Sequence, residues 1–317
     1  MKIVFMGTPD FAVPSLRALA ESDGVEVVGV VCQPDRPKGR GGKLQACPVK
    51  VFALSKGLRV YQFERIRRPE GVEAMLSLRP DAFVTAAFGQ ILSQELLDIP
   101  RIGTINVHAS LLPKYRGSAP INWAIIKGER ETGVTTMMTD KGMDTGDMLL
   151  RTNTAIGPEE TAGELTQRLS HMGAALLMET LAALDAGNCP RAAQDPAQAT
   201  YDPMLSKETG RIDWNRPAEQ IANLVRGVNP WPGAWTTLGT DTLKILKAAV
   251  CSQQSAGEAG LVLRADPKGG LIVAAAQGAL ELVEIQAAGS KRMPAKDYLR
   301  GHVIPVGTCL GKVHYDE

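Results

Sequence analysis

Asn and His stand at alternate positions in a largely apolar run, Thr104-Ile-Asn-Val-His-Ala-Ser-Leu-Leu-Pro113. Side chains of a strand alternate between its faces, so Asn106 and His108 share one face. Polar groups on a buried strand need partners, and at the carboxyl end of a parallel strand they line the crevice where α/β sheets bind ligands. An imidazole placed there is a candidate for proton transfer; a hydrogen-bonded core histidine is the alternative. A second segment, Met143-Asp-Thr-Gly-Asp147, offers Asp144 or Asp147 as the carboxylate that orients a histidine, although Asp and Gly are also ordinary turn formers.

Three other segments carry weaker signals. The turn Gly7-Thr-Pro-Asp-Phe11 follows the first apolar run, but no GxGxxG is present, so a dinucleotide site is poorly supported and a plain strand-to-helix turn is expected. The stretch from Gln33 to Pro48 is long for a strand–helix connection. There Arg36, Lys38, Arg40 and Lys43 oppose only Asp35. It reads either as a basic arm that folds against nucleic-acid phosphates or as a solvated loop. Asn229-Pro-Trp-Pro-Gly-Ala-Trp235 reads as a rigid apolar corner with a packing role rather than a base-stacking one.

The elements that must position these residues alternate. Strands are expected at Lys2–Met6, Val25–Cys32, Asp81–Phe88 and Thr104–Ala109. Helices are expected at Phe11–Ser22 (capped by Asp10), Pro48–Lys56, Glu70–Leu78, Ala119–Lys127 and Thr161–Ala186. Strands separated by helices argue for an α/β fold, a doubly wound, mostly parallel sheet. The rhythm breaks over Gly187–Leu205, where Pro190, Pro196 and Pro203 interrupt any apolar period. A helix over Pro217–Gly227 and short strands at Ala234–Leu238, Leu243–Val250, Gly260–Arg264, Leu271–Ala276 and Ala279–Gln286 follow, the spacing of a small β-barrel. The expected organisation is a first domain over 1–188, a linker over 189–205 and a second domain over 206–317.

Composition bounds the function. The 317 residues are 44% apolar and 22% charged, with a net charge of +1. A disordered chain or a disulfide scaffold is excluded, and any nucleic-acid site must be a local patch. No apolar segment is long enough to span a bilayer. Five cysteines without a CxxC pair, and four histidines that do not cluster with them, point to reduced thiols in the cytoplasm and to no structural zinc.

Asn106-Val-His-Ala-Ser-Leu-Leu-Pro113, followed by Tyr115-Arg-Gly117 and Asp144-Thr-Gly-Asp147, resembles the signature of folate-dependent formyltransferases. The basic arm, together with Leu205-Ser-Lys-Glu208, Ile212-Asp-Trp214 and Asn229-Pro-Trp-Pro-Gly233, resembles the methionyl-tRNA formyltransferases within that superfamily. The likeness covers nearly the whole chain. One departure is Met204, where a lysine is common.

The resemblance implies an α/β N-terminal domain of Rossmann-like winding and an OB-like C-terminal β-barrel. It implies transfer of the formyl group of 10-formyltetrahydrofolate to the α-amino group of methionine on initiator tRNA, for translation initiation. No metal and no membrane are expected, and the chain is expected to be a monomer. Asn106 would donate to the developing oxyanion. His108 would act as a cation that polarises the formyl oxygen or as a neutral base. Asp144 would orient His108 and favour its protonated form. Ser110, Leu111, Leu112 and Pro113 would edge the folate pocket, with Phe88, Gln90 and Ile91 as walls. Arg40, then Arg36 and Lys43, would contact the tRNA acceptor end. Lys207, Lys244, Lys247, Lys291 and Arg292 are further candidates for phosphate contacts.

Overall fold

The computed structural model describes residues 1–38, 42–251 and 257–312, and the chain divides into two compact units. Met1–Pro120, Glu131–Ala155 and Thr166–Asp202 form the first unit; Ile121–Arg130, Ile156–Leu165 and the chain from Pro203 form the second.

The first unit is built on strands β1 (Lys2–Gly7), β2 (Glu26–Cys32), β3 (Arg36–Lys38), β4 (Lys43–Gln45), β5 (Val60–Gln62), β6 (Ala82–Ala86), β7 (Gly103–His108), β8 (Glu131–Met138) and β9 (Met148–Ala155). Among the described residues, seven of these form one sheet in the order β5-β2-β1-β6-β7-β8-β9. The β5-β2-β1-β6-β7 part is parallel, while β7 to β8 and β8 to β9 run antiparallel. The mostly parallel, doubly wound reading therefore holds, with an antiparallel edge that the apolar runs alone had not marked. Helices α1 (Val13–Ala20), α2 (Pro48–Ser55), α3 (Pro69–Ser77) and α4 (Gln94–Leu97) are the crossover and connecting helices. One core cluster joins Val4, Met6, Val31 and Phe83 of the sheet to Val72 and Met75 of α3 and Leu96 of α4.

The first helix differs from expectation. Asp10 opens a 3-10 turn, Asp10–Ala12, instead of capping α1, and no side chain caps either end-on N–H set. Pro14 occupies the first turn of α1, where a missing N–H costs nothing. Gly7 explains the plain turn before it. A Cβ there would stand 2.7 Å from Ala12 Cβ and 2.9 Å from the Ala86 carbonyl oxygen, so the glycine serves close packing.

Helix α5 (Pro120–Ile126) falls almost wholly in the second unit, and the 24-residue α6 (Ala162–Asp185) belongs to the first from Thr166 on. Gly173 lets α6 approach β7 and β8: a Cβ would stand 2.8 Å from Val107 Cγ1. Thr180 of α6 also exchanges a 2.8 Å hydroxyl bond with Thr136 of β8. α6 thereby covers the face of β7 that carries Val107. Asn106 and His108, at even positions, take the opposite face.

The second unit holds α7 (Ala218–Gly227), strands β10 (Ala234–Leu238), β11 (Asp241–Cys251), β12 (Val262–Asp266), β13 (Gly270–Ala274), β14 (Ala279–Ala287) and β15 (Met293–Pro294), and α8 (Ala295–Tyr298). The strands make an antiparallel sheet in the order β10-β11-β14-β13-β12, with β15 on β14. Its core packs Trp214, Ile221 and Val225 against Leu243, Ile245, Leu282 and Ile285. The Asn229–Trp235 corner meets the expected packing role only in part, since Trp231 is 57% exposed. Trp235 is anchored instead through its indole N–H, which donates to the Lys207 carbonyl at 2.9 Å.

Candidate active site

The two polar residues of β7 meet Asp144. His108 Nδ1 lies 3.6 Å from Asp144 Oδ2, and Asn106 Nδ2 lies 3.4 Å from Asp144 Oδ1. The Asp144 carboxylate, not that of Asp147, is thus the one beside the imidazole. The side chain of His108 is 7% exposed and that of Asp144 19%, so the contact is shielded on most sides yet open at the carboxylate.

Neighbouring groups orient each member. The Thr85 hydroxyl, on β6 directly beside Asn106, donates to Asn106 Oδ1 at 2.8 Å. The amide oxygen is thereby occupied, and Nδ2 with its two hydrogens turns toward Asp144. His108 Nε2 lies 2.9 Å from the Tyr115 carbonyl. A carbonyl can only accept, so Nε2 carries a hydrogen and Nδ1 is the ring atom facing the carboxylate. Asp144 Oδ2 also accepts the Gly117 N–H at 2.8 Å. Asp144 itself sits at φ +53°, a left-handed conformation uncommon for a non-glycine residue.

The loop after β7 is folded by its own polar groups. Ser110 Oγ donates to the Lys114 carbonyl at 2.7 Å, and Thr135 of β8 donates to the Ser110 carbonyl at 2.7 Å and accepts the Leu112 N–H at 3.2 Å. Ser110 and Leu112 are buried at 1%, while Leu111 and Pro113 are half-buried. Phe88 is 5% exposed and belongs to the core of the first unit. Gln90 braces two main-chain groups, accepting from Ile66 N–H and donating to the Phe63 carbonyl at 2.7 Å each. Ile91 is 73% exposed.

Sequence reasoning passed over a second layer. Gln194 donates to the carbonyls of Asp144 and Gly146 at 2.8 Å. Thr200 accepts the Tyr115 N–H on its hydroxyl and the Arg116 N–H on its carbonyl, at 2.7 and 2.9 Å. Residues 189–202, proline-rich and without period, therefore bond to the Asp144 loop and to the segment after β7. Only the polar residues Gln194 and Thr200 in that stretch hint at it.

The basic arm is a two-stranded ribbon, β3 on β4, with Arg36 opposite Gln45 and Lys38 opposite Lys43. Arg36 pairs with Glu64 at 2.6 Å. Arg40 lies outside the described residues, as do the side chains of Lys38 and Lys43. At the ribbon's base Asp35 accepts from Lys50 Nζ at 2.7 Å and from Gln62 Nε2 at 2.8 Å, and these bonds hold its carboxyl below its usual range. In the second unit Lys247 pairs with Glu159 at 2.9 Å and Arg292 pairs with Glu284. Among the described residues, no group of three His, Cys, Asp or Glu side chains could hold a metal, and no helix is long and apolar enough to cross a membrane.

The sequence pattern of the formyl transferase family matches residues 1–181, and that of the formyl transferase C-terminal domain matches 204–303. Curated relatives extend the match to full length. A methionyl-tRNA formyltransferase of Solibacter usitatus is 52% identical over 314 residues, 99% of this chain and all of the relative. One of Ruminiclostridium cellulolyticum is 49% identical over 314 residues, 98% of this chain and all of the relative. The chain belongs to the methionyl-tRNA formyltransferase family. Solved structures agree on the fold. An N-formyltransferase of Helicobacter canadensis, solved with folinic acid and dTDP-3-aminofucose, superposes with a TM-score of 0.68 at 19% identity, over 90% of this chain and 99% of that one. HypX of Aquifex aeolicus, solved with tetrahydrofolic acid, gives 0.62 at 18% identity, and the chain spans 47% of its length. The trio of this family member lies within the stretch matched by the formyl transferase pattern.

Proposed function

We propose that the protein transfers the formyl group of 10-formyltetrahydrofolate to the α-amino group of methionine on initiator methionyl-tRNA, in the cytoplasm and as a monomer. The observation that carries the reading is the convergence of Asn106, His108 and Asp144 in a chain matched end to end by methionyl-tRNA formyltransferases. In the reaction the amine nitrogen bonds to the formyl carbon and the bond from that carbon to folate nitrogen breaks. A proton leaves the amine and one ends on the departing folate nitrogen.

Asn106 Nδ2, turned outward by the Thr85 bond, donates to the formyl oxygen as negative charge gathers there. One donor of this kind is typically worth about 3 kcal/mol of barrier. With Nε2–H committed to the Tyr115 carbonyl, Nδ1 is the His108 atom that handles the amine proton. A proton held there faces the Asp144 carboxylate. Positioned proton transfer contributes typically ~10²–10⁴-fold. Holding the amine against the formyl donor supplies much of the rest.

Ser110–Pro113 edge the folate side of the pocket in this reading, with main-chain groups set by Thr135. Gln90 and Phe88 shape it from behind, one as a brace and one as core, and Ile91 offers an exposed apolar wall. Arg40, Arg36 and Lys43 of the basic arm contact the tRNA acceptor end, and the second unit adds phosphate contacts. Lys207, Lys244, Lys247, Lys291 and Arg292 are the candidates for that role.

The test is incubation with 10-formyltetrahydrofolate and methionyl-tRNA, with uncharged tRNA and free methionine as controls. N-formylmethionine released by mild ester hydrolysis, from the charged tRNA alone, is the expected product. Its absence under conditions where a known family member works would overturn the reading.

A further inference from the structure

The loop that carries Asp144 is gripped by one side chain from a distant part of the chain. Gln194 Nε2 donates to the main-chain carbonyls of Asp144 and Gly146, each at 2.8 Å. Gln194 Oε1 accepts from Arg116 Nε at 3.0 Å and from Arg116 Nη2 at 2.8 Å. An amide has two hydrogens on nitrogen and two acceptor sites on oxygen, and all four are used here. The orientation is determined, because a reversed amide would set oxygen against two carbonyls and nitrogen against a guanidinium.

Both residues are buried, Gln194 at 8% and Arg116 at 5% exposure. Arg116 Nη1 also donates to the Tyr201 hydroxyl at 2.6 Å, and the guanidinium carbon stands 5.6 Å from that ring's centre. Among the described residues the acceptors around this cation are neutral oxygens, so its charge is not cancelled by a carboxylate. It polarises the Gln194 amide and strengthens the two bonds that amide makes to the loop. Gly146 fits the same purpose, since a Cβ there would stand 2.0 Å from the Met138 carbonyl oxygen. A residue held at φ +53°, as Asp144 is, persists only where its surroundings over-determine it.

We propose that Gln194, backed by Arg116, is a positioning residue for Asp144. It fixes the main chain on both sides of Thr145, so that the carboxylate meets Asn106, Gly117 and His108 together. The proposal rests on the reading of Asp144 as a member of the reacting trio. It gives residues 189–202 a part in the chemistry that their composition does not announce.

Gln194→Glu tests it. The carboxylate keeps Arg116 paired and cannot donate to the two carbonyls. The expected result is a fall in kcat of about 10- to 100-fold, the scale of a misplacement near 1 Å, with KM for both substrates nearly unchanged. In an Asp144→Asn background the same change should cost less than about threefold, because the group it positions is already disabled. Equal losses in both backgrounds would overturn the proposal in favour of a purely structural role. Thermal unfolding checks that the variant folds. Gln194→Met, of similar length and without a donor, repeats the comparison if it does not, and failure of both to fold would also assign Gln194 a structural role only. A wild-type chain that transfers no formyl group would remove the functional reading itself. A wild-type chain that does, beside a Gln194→Glu variant of full kcat, would overturn this inference alone.

Discussion

Asp144→Asn removes one oxygen from a point where three nitrogen groups converge. Gly117 N–H reaches Oδ2 at 2.8 Å, His108 Nδ1 stands 3.6 Å from the same atom, and Asn106 Nδ2 stands 3.4 Å from Oδ1. An asparagine side chain supplies one oxygen and one NH₂. The shortest bond, from Gly117, claims the oxygen, so the NH₂ is turned on Asn106 Nδ2, donor against donor. The imidazole loses its negative partner in either orientation. A hydrogen bond to a charged group is worth about 1.5–3 kcal/mol, and its neutral replacement about half that. The fold should survive this difference. Proton handling at His108 and donation by Asn106 are hit together, and the first alone spans ~10²–10⁴-fold, or about 3–5 kcal/mol of barrier. Single-turnover formylation of methionyl-tRNA, with enzyme in excess, reads that step without product release. The expected result is a rate loss in that range with tRNA affinity nearly intact. A variant within about threefold of wild type would show that the carboxylate does not act on the trio in the way its geometry implies.

Other expectations follow from single contacts. Thr85→Val keeps shape but leaves Asn106 Oδ1 without its donor, and loss of about 0.5–1 kcal/mol of orientation should cut single-turnover formylation about two- to fivefold, with Thr85→Ser restoring it. Burial, with the Cys47 thiol alongside, pushes the Cys32 thiol up to about 12, so mass spectrometry after iodoacetamide treatment of the native protein at pH 8 should find Cys32 unmodified. Asp81 accepts the Lys2 N–H at 2.7 Å and pairs with Arg101 at 3.1 Å, which lowers its carboxyl pKa in the fold. A lowered folded value means stability that is present above the unfolded pKa of about 4 and is lost as pH falls through the folded value. Tm measured from pH 7 to pH 3 should therefore fall less steeply for Asp81→Asn than for wild type, and from a lower start.

Some of the site was legible because it obeys a period. Asn106 and His108 interrupt an apolar strand two residues apart, and alternation alone puts them on one face. Asp144 does not obey a period. Its neighbours are ordinary turn residues, and only the resemblance of the whole motif to a known family singled it out over Asp147. Thr85 sits inside a buried strand as one hydroxyl among apolar neighbours, and its purpose depends on parallel register with Asn106, which a local pattern does not carry. The antiparallel edge, β8 and β9, was hidden for a related reason: after Met148 and the buried Leu149, β9 alternates between half-buried and exposed positions over a mostly polar run. Residues 189–202 were the hardest, since Gln194 and Thr200 act through main-chain carbonyls and N–H groups far away in sequence. In the second unit the apolar runs and turn glycines are local, and the expected strands lie within a few residues of the observed ones.

Much of what surrounds the trio is peptide backbone: the carbonyl of Tyr115 takes one hydrogen from the ring, and the amide of Gly117 gives one to the carboxylate. Those atoms are present whatever side chain residue 115 bears. What residue 115 must keep for this purpose is its left-handed backbone, at φ +60°. Gaining or losing a single residue between 108 and 117 would not be absorbed, because it slides both backbone groups away from the side chains they serve. Among orthologous sequences, the length of this stretch should be constant.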